Sequence, residues 1–364
     1  MNDVLVPNRA RRTACPWLAR MLCGLAAAIA AALTFVVPAG ATPPGRAGQI
    51  VFRRYFDPDH QTGALFMMNA DGGHVRQLTH PPAGWLDTEP DWSADGRRVV
   101  FYRGRADEHT RITLIDVDSG RVQLATRCRG NCLNDYDPAW APSGRWIAFT
   151  RVLGPILPPG FATNVGVWLV RADGTGLHQV TNRTRPGRVE DYGPQLSPDA
   201  RMLVFERVRN ADGRSAVFVQ HIGRPGSARR LTPWTLDCGD HPDWSPDARL
   251  ILFRCRPDDG SSNLYWVHPD GAGLRALTHA AAGRRHYHSA SFAPTFRRGY
   301  GWITTSRQPG YGGRGNADVF RLRIERGRVV RWWNLTKSSI WDSATDWGTH
   351  PPTPSPKRRC SACS

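Results

Sequence analysis

An all-β fold built from repeated four-stranded antiparallel units is predicted by three observations. First, the stretch DTEPDWSADGRRVVFYR (Asp87–Arg103) returns as DYDPAWAPSGRWIAFTR (Asp135–Arg151), DYGPQLSPDARMLVFER (Asp191–Arg207) and DHPDWSPDARLILFRC (Asp240–Cys255), with a looser copy over His288–Arg307. The aligned Trp92, Trp140, Leu196, Trp244, Phe292 and Trp347 are spaced by 48, 56, 48, 48 and 55 residues, and a period of roughly fifty residues marks a repeat architecture. Second, the apolar segments of each copy are strand-length, rich in Val, Ile, Phe and Trp, and separated by turn residues. Third, the end copies are incomplete. Gln49–Arg54 (QIVFRR) holds only the second half of the unit, and Asp342–Gly348 (DSATDWG) holds only the first. Together these predict a six-bladed β-propeller, its ring closed by a C-terminal strand lying beside Gln49–Arg54.

Each element follows from the copy at Asp87. A first strand through Pro90–Ser93 and a second through Arg98–Arg103 flank Ser-Ala-Asp-Gly; a third runs through Ile112–Val117 and a fourth through Val122–Thr126. The third and fourth strands of other copies are joined by Asp-Gly turns, because glycine reaches positive φ without steric cost. Four antiparallel strands per unit is a propeller blade. Pro90, Pro138, Pro194 and Pro242 fall in the first strand of their copies. A missing amide is tolerated there only on a sheet edge, so this strand is predicted to face the central channel.

The W-S-P-D-G-x-x-I-A-F core, followed by D-G and then L-T, resembles the propeller repeat of the TolB family, over roughly residues 48–350. The resemblance implies the propeller fold and leaves function open. The α/β domain that precedes the propeller in TolB is not expected in this chain, nor is the hydrolase domain joined to related peptidase propellers.

Ahead of the repeats, residues 1–41 read as a secretory signal peptide: Arg9, Arg11, Arg12 and Arg20, an apolar run Met21–Val37, then Ala39-Gly40-Ala41. Residues 42–47 form a short leader, 48–350 the propeller, and 351–364 a basic, Pro-rich tail carrying Cys360 and Cys363 that is expected to be disordered. No transmembrane span is expected once the signal is cleaved. The whole chain carries a formal charge of +17; without the signal, 44 basic and 30 acidic residues leave +14. All but two of the basic residues are arginine, the exceptions being Lys337 and Lys357, and they are scattered over every repeat. That scatter, with export, argues against nucleic acid. Six cysteines remain in an oxidising compartment, which predicts disulfides, among them Cys128–Cys132.

Within each first hairpin, Asp87 faces Arg103, Asp135 faces Arg151 and Asp191 faces Arg207, with Asp342 and Arg54 equivalent across the closure. Identical pairs in several copies read as structural ion pairs, of small energetic weight if exposed. In the fifth copy the corresponding positions are Gly239 and Cys255, with Cys238 one residue earlier, so a Cys238–Cys255 disulfide is expected in place of the ion pair. No nucleophile elbow, phosphate loop or zinc-ligand spacing occurs, so no catalytic residue or cofactor is assigned. Departures from the repeat point to ligand binding instead: Asp240 and His241 entering the fifth blade, His286 and His288 entering the sixth, and Trp234 and Trp341, which lack equivalents in other copies. The long stretches Gly154–Gly166 and Gln308–Asn316 are expected to be loops rising on the same face, either as binding elements or as flexible filler. Two functions follow. One is a secreted, periplasmic or envelope-associated non-enzymatic scaffold for a protein or polysaccharide. The other is a carbohydrate-active lyase or hydrolase using a metal-assisted His/Asp group. Neither the metal nor the oligomeric state is legible.

Overall fold

The computed structural model describes residues 46–105, 108–157, 161–181, 188–310 and 315–353. The signal segment 1–41 and the Cys360/Cys363 pair lie outside the described residues. The rest is strand, turn and one three-residue 3₁₀ turn at Trp234–Leu236. Four sheets have four antiparallel strands each, and an eight-stranded sheet contains the first three strands and the last. One half of that large sheet holds Asp342–Trp347, Ile50–Tyr55, Gly63–Met68 and Arg76–Gln77; the other holds Leu86–Trp92, Arg98–Arg105, Glu108–Asp116 and Val122–Leu124. A single parallel pair, Gly63 with Leu86, joins the halves. Asp342–Trp347 runs antiparallel to Ile50–Tyr55, with Asp342 opposite Arg54.

Every sheet owes its core to the same alternation. The Val-, Ile- and Phe-rich second strands, such as Val99–Phe101, Ile147–Phe149 and Ile251–Phe253, are fully buried because both faces meet a neighbouring sheet. Six apolar clusters lie between adjacent sheets among the described residues. One of them joins Ile50, Phe52 and Met68 to Val319 and Trp347, packing the beginning of the repeats against their end. The Trp of the first strand is buried in four copies, at Trp92, Trp140, Trp244 and Trp347, and Leu196 and Phe292 fill the same place in the others.

The C-terminal segment does not leave the sheet after Trp347. Gln49 N–H donates to the His350 carbonyl at 2.9 Å, the His350 ring stacks on Trp92 at 5.5 Å, and Thr353 N–H donates to Asn69 at 2.9 Å. Residues 351–353, expected in a disordered tail, are therefore tied to the first sheet. The expected loop at Gly154–Gly166 is also mostly strand: Trp146–Leu157 and Phe161–Arg171 make one long hairpin, and residues 158–160 lie outside the described residues. Of Gln308–Asn316, residues 311–314 lie outside them too.

Candidate functional site

The first strand of each copy carries a bulge just before its Trp position, where the pairing register shifts, as between Thr88 and Asp91 and between Tyr136 and Ala139. At five copies the bulged residue is left-handed: Glu89 (φ 48), Asp137 (φ 50), Gly193 (φ 54), His241 (φ 58) and Ala344 (φ 53). A bulge turns its extra residue away from the ladder, and here these residues surround the central channel. They line a small cavity of about 60 Å³ with the inner-strand prolines Pro90, Pro138, Pro194 and Pro242.

At this mouth His241 Nε2 stands 3.5 Å from Glu89 and 3.9 Å from Asp137, and Arg53 reaches Glu89 at 3.4 Å. Burial works against a charged imidazole. The carboxylates of Glu89, Asp137 and Asp240 outweigh it and raise His241 to about 9. Burial also pushes Asp137 above the usual carboxylate range, against the pull of His241. The mouth thus holds a charged imidazolium beside the carboxyl groups of Glu89 and Asp137, with the His241 side chain still 32% exposed.

Of the other expected ligand residues, Asp240 acts on the charge of His241 while pairing elsewhere. Asp240 pairs with Arg254 at 3.2 Å, and its N–H donates to Glu206 at 2.8 Å. Burial raises its pKa and Arg254 pulls it down; the result lies below the ordinary value. His286 Nε2 meets the same Arg254 at 2.8 Å. His288 stacks on His286 at 4.7 Å and meets Trp341 edge-on at 5.5 Å. Burial lowers His286 to about 4 and His288 to about 3, so both rings are neutral near pH 7. Trp341 also packs on His60 at 4.6 Å, at the rim. Trp234 is not an open contact: it lies half-buried against Phe218 at 5.8 Å, with the Arg209 guanidinium 4.7 Å above its ring. Among the described residues, the one trio of His, Cys or carboxylate ligand atoms lying within 4.8 Å of one another is Cys128, Cys132 and Asp135. Those two cysteines are bonded to each other.

The repeated ion pairs are bidentate, with Arg103 on Asp87 at 2.6 and 2.7 Å and Arg151 on Asp135 at 2.7 and 2.8 Å. Arg207 on Asp191 and Arg54 on Asp342 repeat the geometry. All four carboxylates are wholly buried. The small weight expected of exposed pairs therefore does not apply. In the fifth copy Cys238 sits directly opposite Cys255, and Gly239 faces Arg254, one residue from the expected alignment. The disulfide fills the place of the ion pair.

Two features were missed from the sequence. Glu89 and Asp137 sit three residues before the Trp position, as His241 does, and that shared offset was the available signal. The second is a girdle of carboxyl groups lining the same cavity. Asp91 accepts from Trp140 N–H at 2.7 Å, Asp243 from Phe292 N–H at 2.7 Å, and Asp346 from Trp92 N–H at 2.8 Å. Each carboxylate clasps the inner strand of the next copy. Burial raises all three, and the nearness of Asp346 raises Asp91 and Asp243 further. The Asp-Trp dipeptide, present in three copies, was the sequence sign of this clasp.

No family model matches the chain. Over 143 residues it is 29% identical to an uncharacterized protein of Agrobacterium fabrum, a match covering 39% of this chain and 42% of that relative's length. The chain therefore spans less than half of that relative. Among solved structures it is similar to TolB from Acinetobacter baumannii, with a TM-score of 0.63 and 18% identity over 89% of this chain and 71% of that one. It is also similar to a putative TolB from Agrobacterium tumefaciens, with a TM-score of 0.58 and 16% identity over 85% and 94% of the two chains. At such identities the likeness concerns the fold, and the fold of this chain is a TolB-like β-propeller.

Proposed function

We propose that this chain is an exported six-bladed propeller, closed by its C-terminal strand, that binds an envelope or extracellular protein or polysaccharide at the channel mouth without catalysis. One observation carries the reading. The bulges at the mouth share a backbone form but not a chemistry: Glu89, Asp137 and His241 occupy three of them, while Gly193 and Ala344 occupy two others. The bend needs no charge, as Gly193 and Ala344 demonstrate. Charged side chains held on rigid strands and open to solvent at one side are what a scaffold uses for recognition.

The six-blade reading is supported by the lone parallel pair at which the eight-stranded sheet divides into two four-stranded halves. Export is supported by the two disulfides, which persist in oxidising compartments, and by the composition of residues 1–41. The test is capture from native envelope and culture-medium fractions by immobilised exported protein. A partner held by the wild type should be lost with His241→Gln/His288→Gln and kept with Arg201→Gln, a change on a distant exposed turn. Melting temperatures report that each variant is folded. Equal capture by all three proteins would refute the mouth as the binding site.

A further inference from the structure

At the opposite end of the strands from the ion pairs, the fifth and sixth copies enclose a cleft of about 670 Å³. Here the repeat departs from itself. The turn between first and second strands is closed by hydrogen bonds of Ser93 with Arg98, Ala141 with Trp146, Ser197 with Met202 and Ser245 with Leu250, each five residues apart. In the sixth copy the same bond joins Ala293 to Trp302, nine apart. The longer turn carries Arg297 and Arg298, and Arg298 N–H docks it on Asp247 of the neighbouring turn at 2.8 Å.

The longer turn completes a cationic wall. Arg249, Arg275, Arg298, Arg326 and His268 line the cleft, and all five are exposed. No carboxylate pairs with any of these four arginines among the described residues, whereas most arginines near the mouth are salt-bridged. The carboxylate of Asp247, on the neighbouring turn, is occupied by Ser245 Oγ and by the N–H groups of Arg249 and Arg298. The shape of the cleft is also fixed. Arg275 lies 4.9 Å over the Trp266 ring and donates to the Gly327 carbonyl at 3.1 Å, and Gly327 N–H donates to Gly299 at 3.0 Å. Gly327 is left-handed (φ 73), and a Cβ there would run into the Arg275 guanidinium.

Four guanidinium groups around one concavity repel one another unless an anion lies between them, and their planar forks match carboxylate and phosphate oxygens in pairs. A cleft of this volume suits a small ligand rather than a flat macromolecular face. We propose that this cleft binds a small polyanion carrying two or more phosphate or carboxylate groups. The site is independent of the mouth and does not rest on the function proposed above.

Isothermal titration of the exported protein with tripolyphosphate and, separately, citrate at physiological salt tests the inference and tells the two chemistries apart. One probe should bind with one-to-one stoichiometry, and Arg249→Gln/Arg298→Gln should weaken it about tenfold or more. Arg145→Gln/Arg201→Gln removes the same charge, with Arg145 and Arg201 the equivalents of Arg249 in other copies, and should change binding less than about twofold. His241→Gln/His288→Gln should leave it unchanged. Binding of neither probe, or equal weakening by the two arginine double variants, would overturn the proposal, the second by showing only bulk charge attraction.

Discussion

The residues at the mouth titrate in opposite senses, and that gives the protein a two-sided pH dependence. His241 is raised to about 9 by its carboxylates despite burial, from an ordinary value of about 6.5. Its contribution to stability is therefore complete below the ordinary value and is lost as pH climbs toward 9. His286 and His288, lowered to about 4 and about 3, are neutral in the fold. Their contribution is present above the ordinary value and is lost as pH falls through the acid range. Melting curves of wild type and His241→Gln should thus diverge most in weak acid and converge in alkali, and His288→Phe should flatten the acid limb; a constant gap at all pH values would exclude the linkage. The raised girdle carboxyls Asp91, Asp243 and Asp346 act in the same sense as His241, since the fold holds their protons more tightly than the unfolded chain does, and their contribution falls as pH rises above the ordinary carboxylate range. The ion pairs carry a different expectation. Arg151 is only 6% exposed and Asp135 not at all, so Asp135→Ala strands a buried guanidinium and should cost about 3–5 kcal/mol by urea denaturation. Removing Asp258, 74% exposed opposite Arg214, should barely register. The Asp–Arg pattern was legible because it recurs at a fixed offset. Its burial was not, since exposure depends on the neighbouring sheet.

Among elements, the hairpins were the most legible part of the sequence. Turn chemistry and alternation mark the strands of the Asp87 copy to within a few residues of Leu86–Trp92, Arg98–Arg105, Glu108–Asp116 and Val122–Leu124. What pattern could not show was the bulge. A period-two reading assumes an unbroken ladder, and a shift inside the first strand hides which of Thr88, Glu89 and Pro90 turns toward the channel. For the same reason the fifth copy reads one residue out, since its register slips between Gly239 and Asp243. The fifth hairpin also yields a clear expectation. Cys238 and Cys255 are 17 residues apart, and such a cross-link contributes about 3 kcal/mol by restricting the unfolded chain. Cys238→Ala/Cys255→Ala should lower the melting temperature clearly more than Cys128→Ala/Cys132→Ala, whose cysteines are only 4 apart. An equal effect would place the stabilisation outside chain entropy.

For the molecule as a whole, repeat spacing revealed the architecture, while the candidate site was only half visible. His241 stood out by breaking the pattern, but its partners Glu89 and Asp137 lie about 150 and 100 positions away, a nearness that only a curved array of sheets creates. The arginine cleft was hidden in the uniform arginine content, where composition masks position. The last strand makes the largest-scale prediction. A chain ending at Ser339 loses Asp342–Trp347 and bares the edge of Ile50–Tyr55, so it should melt far below a chain ending at Thr353 and aggregate. Comparable melting of the two would mean the first sheet does not need its last strand. That strand arrangement also has an evolutionary consequence. The unit that the sequence repeats and the sheet that the fold assembles are out of step, and both ends of the repeated region share one sheet. Loss of a terminal unit damages that shared sheet, but duplication or deletion of an interior unit leaves it whole. Variation in the number of repeats is therefore expected to spare both end fragments, since each supplies strands to the same sheet.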